Sequence, residues 1–191
     1  FNTPHQTPPF KEIKAEHFLP AFEEGIKQSR AEIDSIVNNP DAPTFENTIE
    51  ALERQGHLLN RTAEIFFSLL SSSTSPVMQE TANKVTPMLT ELGNDISLNE
   101  KLFERVKTVY DYYTESTWDE YPLDKEQDML LNSTYKSFAR NGAALSEEDK
   151  ETYRKLTAEL GTQTLDFDKN ALDEMNTFSL NIPLEDSAKV V

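Results

Sequence analysis

Apolar residues recur at alternating steps of four and three through residues 43–71, PTFENTIEALERQGHLLNRTAEIFFSLLS: Phe45, Ile49, Leu52, Gly56, Leu59, Ala63, Phe66 and Leu70. That spacing keeps one face of a helix turned toward a partner. Leu58, Ile65 and Leu69 widen the stripe toward its C-terminal end. The pattern predicts a single helix about 39 Å long whose seam is core. Thr44 stands where a hydroxyl can cap it, and Glu46 places negative charge on the positive helix end. Gly56 lies on the seam, where a missing side chain admits a neighbouring backbone.

The same reading extends along the chain. Residues 1–13 carry three prolines and no period, which predicts an extended arm. A helix then starts near residues 16–19 and tolerates Pro20 in its first turn, where the amide lacks a partner anyway. Its inner stripe is Phe18, Phe22, Ile26, Ser29, Ile33 and Val37, and Asn38-Asn39-Pro40 ends it. The short connector PDAP makes it pack antiparallel to the central helix. Ser75 and Pro76 open a third helix with Val77, Thr81, Val85, Met88, Leu92 and Ile96 on one face, and Pro87 is expected to kink it. Asn99 caps a fourth, bearing Leu102, Phe103, Val106, Val109, Tyr110 and Tyr113.

STWDEYPLD then reads as a long loop. Asp124 with Gln127 starts a fifth helix, whose core face is Leu131, Tyr135 and Phe138; Asn141-Gly142 ends it as a left-handed cap. Ser146 starts a long sixth, where Tyr153, Leu156, Leu160, Thr164, Phe167, Ala171 and Met175 hold the period for about eight turns. Phe178, Leu180 and Ile182 alternate with polar residues and predict one short strand. The fold class is all-α: a bundle of about six mostly long helices, with that strand at the C-terminal end.

Charge narrows the function classes. Lys and Arg total 18 against 34 Asp and Glu, a net charge of -16 over 191 residues. Such a field repels phosphate, so neither nucleic acid nor an anionic membrane surface is an expected partner. No apolar run approaches the roughly 20 residues that span a bilayer. With no cysteine there are no disulfides, thiolate metal sites or cysteine nucleophile. The chain begins at Phe1 and ends just past the strand-like alternation, which suggests a piece of something longer. Leu172, Met175, Phe178, Leu180 and Ile182 are then expected to leave apolar surface bare and to favour self-association.

A search for chemistry among the side chains finds little. Helical zinc peptidase sites need HExxH, two imidazoles one turn apart with a general base between. Here His17 is followed by Phe18 and Leu19, and His57 by Leu58 and Leu59. Di-iron bundles need Glu-x-x-His pairs, but Arg54 precedes His57 and Lys14 precedes His17 at that offset. Glu53 and His57, one turn apart, are weighed as a proton-sharing pair against a solvated helix pair. The serines at 71–73 lack a base and read as a loop. The sequons at Asn60 and Asn132 fall on predicted helices and read as chance matches. Tyr110, Tyr112, Tyr113, Trp118 and Tyr121 cluster at one end of the fourth helix, either as packing or as a partner-facing surface. No catalytic or metal-binding residue and no cofactor is assigned to the chain, and its substrate-binding residues stay unassigned.

Several blocks together resemble a known family: PFKEIKAEHFLPAFEEG at 9–25, NPDAPTFENTIEALERQGHLLNR at 39–61, FFSLLSS at 66–72, GNDISLNEKLFERVKTVY at 93–110, YKSFARNGAALSEEDKETYRKL at 135–156 and FSLNIPL at 178–184. In order, and over essentially the whole chain, they look like the N-terminal part of the thimet-oligopeptidase-like zinc metallopeptidases, which include neurolysin, oligopeptidase A and bacterial peptidyl-dipeptidase. The PTFENTIEALE block looks closest to the last. The resemblance implies a mostly helical body split by a deep channel, with one zinc ion held downstream by HExxH and a later Glu. No residue here matches a zinc ligand, the general base or the groups that grip peptide, so none is carried over.

What is implied is a division into an arm (1–13), a helical domain (14–176) and a strand-like stub (177–191) leading into a catalytic region beyond the chain. That region and the parent's oligopeptide substrates are the implied partners, in the cytoplasm or periplasm. The helical domain would form part of a channel wall admitting only flexible peptides, in a parent that releases dipeptides from free C-termini. The competing expectation is a stand-alone all-α interaction module with no enzymatic parent.

Overall fold

Most helices begin at a side chain that satisfies their free amides. The computed structural model describes residues 3, 5, 7–115 and 123–179, and among them every regular element is helical. A 3-10 turn, Ala15–His17, leads into α1, Phe18–Val37. A π-helical segment, Phe45–Glu50, opens at Thr44, whose hydroxyl accepts from the Asn47 amide while Asn47 Oδ1 accepts from the Thr44 amide at 2.9 Å. A single turn follows as α2, Ala51–Arg54, then α3, His57–Ser72. Ser75 caps α4, Pro76–Ser97, and Pro87 lies inside it. Asn99 Oδ1 accepts from the Leu102 amide at the start of α5, Glu100–Glu115. Asp124 and Gln127 form a reciprocal cap on α6, Lys125–Arg140. Ser146 caps α7, Glu147–Thr177. At the end of α6, Gly142 takes φ +89° and the Ala143 amide donates back to Phe138, a left-handed cap as expected.

The long central helix is where structure and expectation part. Gln55 is extended at ψ 157° and Gly56 is left-handed at φ 70°, so the stretch breaks between α2 and α3. The apolar seam passes through the break undisturbed, which is why spacing alone hides it. The close approach expected at Gly56 lies instead at Gly25 of α1, where a Cβ would sit 3.0 Å from Leu59 Cα. At Gly56 the nearest atoms to a Cβ are 3.7 Å away. Glycine is required there by its φ, which costs other residues about 1–2 kcal/mol. Its amide donates to Glu32 at 2.7 Å, and Ser29 donates to Gln55 Oε1 at 2.8 Å, so α1 fastens the break from across the interface.

Each half of the broken stretch serves a different core. In one, Ile33 and Ile36 of α1 meet Phe45 and Ile49, Leu102, Val106 and Val109 of α5, and Leu131 and Phe138 of α6. In the other, Phe18, Phe22 and Ile26 of α1 meet Leu59 and Phe66 of α3 and Met78, Ala82, Val85 and Leu92 of α4. Phe66 receives Phe18 and Phe22 edge-on, with centroids 5.0 and 5.3 Å apart. Contacts run from Phe18–Phe66 to Glu32–Gly56, so α1 and α3 are antiparallel. α1 spans both cores and is the shared spine.

Two faces differ from the spacing. On α4, Met78 is buried and Val77 exposed. On α7, Leu156, Leu160, Phe167 and Met175 are 60%, 61%, 71% and 73% exposed, so the row expected to be core is open. α7 packs on α4 through a different, largely polar side: Asn94 donates to Thr157 at 2.8 Å, Arg154 to Asp95 at 2.9 Å, and a Cβ on Gly161 would sit 3.0 Å from Thr90 Oγ1. No helix among the described residues is long and apolar enough to cross a membrane.

Candidate functional site

The turn of chain between α3 and α4 and the packing of α7 against α4 leave an open trough. Its floor is α4, through Ala82, Thr86 and Leu89; one wall is Phe67 and Leu70 of α3; the other is Leu160, Thr164, Leu165, Ala171 and Met175 of α7. It encloses about 790 Å³. Apolar atoms dominate its walls, while Asp168 and Lys169 of α7 border it, Lys169 being held by Asp173 at 3.1 Å. Where α3 gives way to α4, Thr74 lines the trough with its hydroxyl shut off from solvent and without a hydrogen-bond partner. An apolar trough with so few polar groups can bind by shape and burial.

A second, shallower depression of about 640 Å³ lies beside the Gln55–Gly56 break, lined by Glu53, Arg54, Gln55, His57, Asn60, Arg61 and Glu64. Glu53 is on α2 and His57 begins α3, so the break intervenes in what the spacing makes one helical turn. Both are exposed. His17 sits elsewhere, its Nδ1 accepting from the Lys14 amide at 3.2 Å to close the 3-10 turn. His5 is on the N-terminal stretch. Among the described residues, no three His, Asp or Glu side chains converge as a metal site.

The remaining candidates also acquire places. Asn60 is exposed near the start of α3; Asn132 donates to the Asp128 carbonyl and carboxylate, both at 2.9 Å. Ser71 and Ser72 close the end of α3 by donating to the Ser68 carbonyl. The tyrosines divide. Tyr110 stacks on Tyr135 at 3.9 Å and belongs to the first core, as does Tyr113. Burial, then the charge of Glu46 and the neighbouring Tyr112, push the Tyr113 phenol up. Tyr112 is exposed, and Trp118 and Tyr121 lie outside the described residues, as do Leu180 and Ile182.

Sequence spacing missed Arg105. Its guanidinium donates to the carbonyls of Asn39 and Asp41 at 3.0 and 3.3 Å and to Asn47 Oδ1 at 3.1 Å, tying the connector after α1 to α5. It also missed the trough, although the apolar row on α7 was its signal.

Over 169 residues the chain is 38% identical to the dipeptidyl carboxypeptidase of Salmonella typhimurium, covering 88% of this chain and 24% of that protein. Oligopeptidase A of Escherichia coli is 24% identical over 171 residues, covering 90% and 24%. A thimet-like oligopeptidase of Dictyostelium discoideum is 23% identical over 182 residues, covering 95% and 26%. The chain thus spans about a quarter of the length of the curated relatives it matches. No family model matches it.

Proposed function

This chain is homologous to the dipeptidyl carboxypeptidases and to oligopeptidase A over about a quarter of their length, and from that kinship we propose that it is the N-terminal helical part of a peptidyl-dipeptidase-like zinc metallopeptidase. Its role there is architectural. Two cores joined by α1 make a stiff wall, and a stiff helical wall beside a reaction chamber admits a flexible oligopeptide while turning away a folded protein. The parent removes dipeptides from free C-termini.

The zinc belongs to the remainder of the parent. The residues present here do not fit it: His17 is spent on a backbone amide, His57 starts a helix, and among the described residues no acidic pair converges with either as a metal site. The single observation carrying this reading is the 38% identity that runs through 88% of the chain.

The test is to follow the reading frame beyond Val191 and assay the product. An HExxH motif with a later Glu, and chelator-sensitive dipeptide release from an oligopeptide with a free C-terminus, are expected of the parent. The 191-residue chain alone is expected to retain no stoichiometric zinc after dialysis and to release no dipeptide. A frame that lacks the motif, or zinc-dependent cleavage by the short chain, overturns the reading.

A further inference from the structure

The trough between α3, α4 and α7 presents two kinds of surface. Its walls are apolar, through Phe67 and Leu70 of α3 and Leu160 and Met175 of α7. Along α4, by contrast, it is lined by the carboxamides of Gln79 and Asn83, one turn apart, and among the described residues neither side chain has a hydrogen-bond partner. Where α3 gives way to α4, the Thr74 hydroxyl is shut off from solvent and lacks a partner too. A carboxamide both donates and accepts, as a peptide group does.

Spacing and length select the shape of the occupant. Positions 79 and 83 are about 6 Å apart along α4, close to the roughly 6.6 Å between peptide groups that face one side of an extended chain. From Thr157 to Met175 the α7 wall runs about 27 Å, the reach of about eight extended residues. A helical segment keeps its peptide groups bonded to one another and leaves these carboxamides idle. An extended one offers them its backbone and sets alternate side chains against the apolar walls. Charge completes the choice. The charged groups on the lining, Asp168 and Lys169, balance, and Lys169 is held by Asp173 at 3.1 Å. On a chain of net charge -16 the trough is an uncharged strip, matched by a segment without charged side chains.

We propose that the trough is a binding site for uncharged, extended peptide, with Gln79, Asn83 and Thr74 holding its backbone. The site rests on the function proposed above for the source of that peptide, which is the stretch of an oligopeptide substrate remote from the bond that is cut.

Calorimetric titration of the 191-residue chain tests the site apart from any peptidase activity. The probe is a peptide of alternating leucine and serine with acetyl and amide ends, about eight residues long. It should bind, and methylating alternate amide nitrogens should weaken binding about tenfold, because this removes donors and keeps the side chains. Gln79→Ala and Asn83→Ala should each weaken it about threefold or more without moving the melting temperature. Thr74→Val should weaken it while leaving the melting temperature level or higher, since an unpartnered hydroxyl is removed. Equal affinity for the methylated peptide, or no loss on substituting Gln79 and Asn83, overturns the proposal and leaves a merely apolar surface. So does a chain that sediments as a dimer and excludes the peptide, which makes the occupant a second copy. In the parent, extending a substrate at its N-terminus with the leucine–serine segment should lower KM at constant kcat, and Gln79→Ala should cancel the gain. An active parent indifferent to both changes overturns the proposal and leaves the proposed function standing. A frame without the peptidase motif, with the peptide still bound by the short chain, removes that function and leaves the site.

Discussion

Gly25 and Gly56 flank the same α1–α3 interface for opposite reasons, one for space and one for backbone angle. Gly25→Val is therefore expected to destabilise by about 1–3 kcal/mol through overpacking against the Leu59 backbone. Gly56→Ala should cost about 1–2 kcal/mol from its left-handed φ. Asparagine separates the two: it tolerates that φ and should recover most of the loss at 56, but none at 25. Denaturant melts of the four variants check this; equal behaviour of Asn at both positions would refute it. On the same interface Leu59→Asp or Phe66→Asp should unfold the domain, an unpaired buried charge costing several kcal/mol. Exposed Glu53→Ala should leave the melt where it is.

Lys150 is a residue whose charge has a pH signature. Burial alone would lower its pKa, but hydrogen bonds to Glu100 and Glu147 at 2.7 and 2.9 Å overcome this and raise it. The Lys150 hydrogen bond, then its charge, holds the Glu100 carboxyl below its ordinary range. A depressed carboxyl stabilises above its unfolded pKa of about 4.3 and loses that contribution as pH falls through the folded value. A raised lysine stabilises below its unfolded pKa of about 10.4 and loses that contribution only as pH climbs through the folded value. Both contributions are thus present at neutral pH. Glu100→Gln should melt below the parent sequence at pH 7 and converge with it as pH falls below the ordinary carboxyl range; a gap that widens in acid would contradict the assignment.

Among the elements, α7 is held differently from the rest. Its 31 residues meet α4 through Asn94 and Asp95, and Lys150 in its first turn reaches Glu100 of α5, rather than mainly through a shared greasy seam. A partly exposed ion pair such as Arg154–Asp95 contributes about 0.2–1 kcal/mol, so α7 beyond its first turn should open without global unfolding. Its amides should exchange ahead of those of α1 and α3, and Asp95→Ala, which removes the carboxylate that Arg30 and Arg154 share, should speed α7 selectively. Uniform exchange across all helices would count against this.

The starts of these elements were legible because Thr44, Ser75, Asn99, Asp124 and Ser146 each announce a helix with a side chain that caps it. The break at Gln55 was not, because Gly56 occupies a seam position without disturbing the period. Nor was the open face of α7, since periodicity records that a face wants covering and not whether the cover is at hand. The trough shares that fate: its three walls come from residues about 100 positions apart, from Phe67 to Met175, and no local pattern joins them.

At the scale of the whole molecule, two cores share one spine. Ile26→Val in one core and Leu102→Ala in the other should cost about 0.5–1.5 and 2–5 kcal/mol. Because they contact different residues, the double variant should match the sum within about 0.5 kcal/mol. α1 runs unbroken through both cores, so both losses should appear in a single transition. Two separated melting steps would mean that the spine does not couple its ends.

Among the described residues, every buried hydrophobic side chain of both cores lies between Phe18 and Ala143. That ordering acquires meaning during synthesis, when the chain leaves the ribosome from its N-terminus at roughly 5–20 residues per second. Once Ala143 has emerged, both cores possess all their buried members, while α7 is still being made. The bundle can therefore close around α1 first and present α4 as a finished surface. α7 then arrives last, docks by its polar side, and leaves its oily side open.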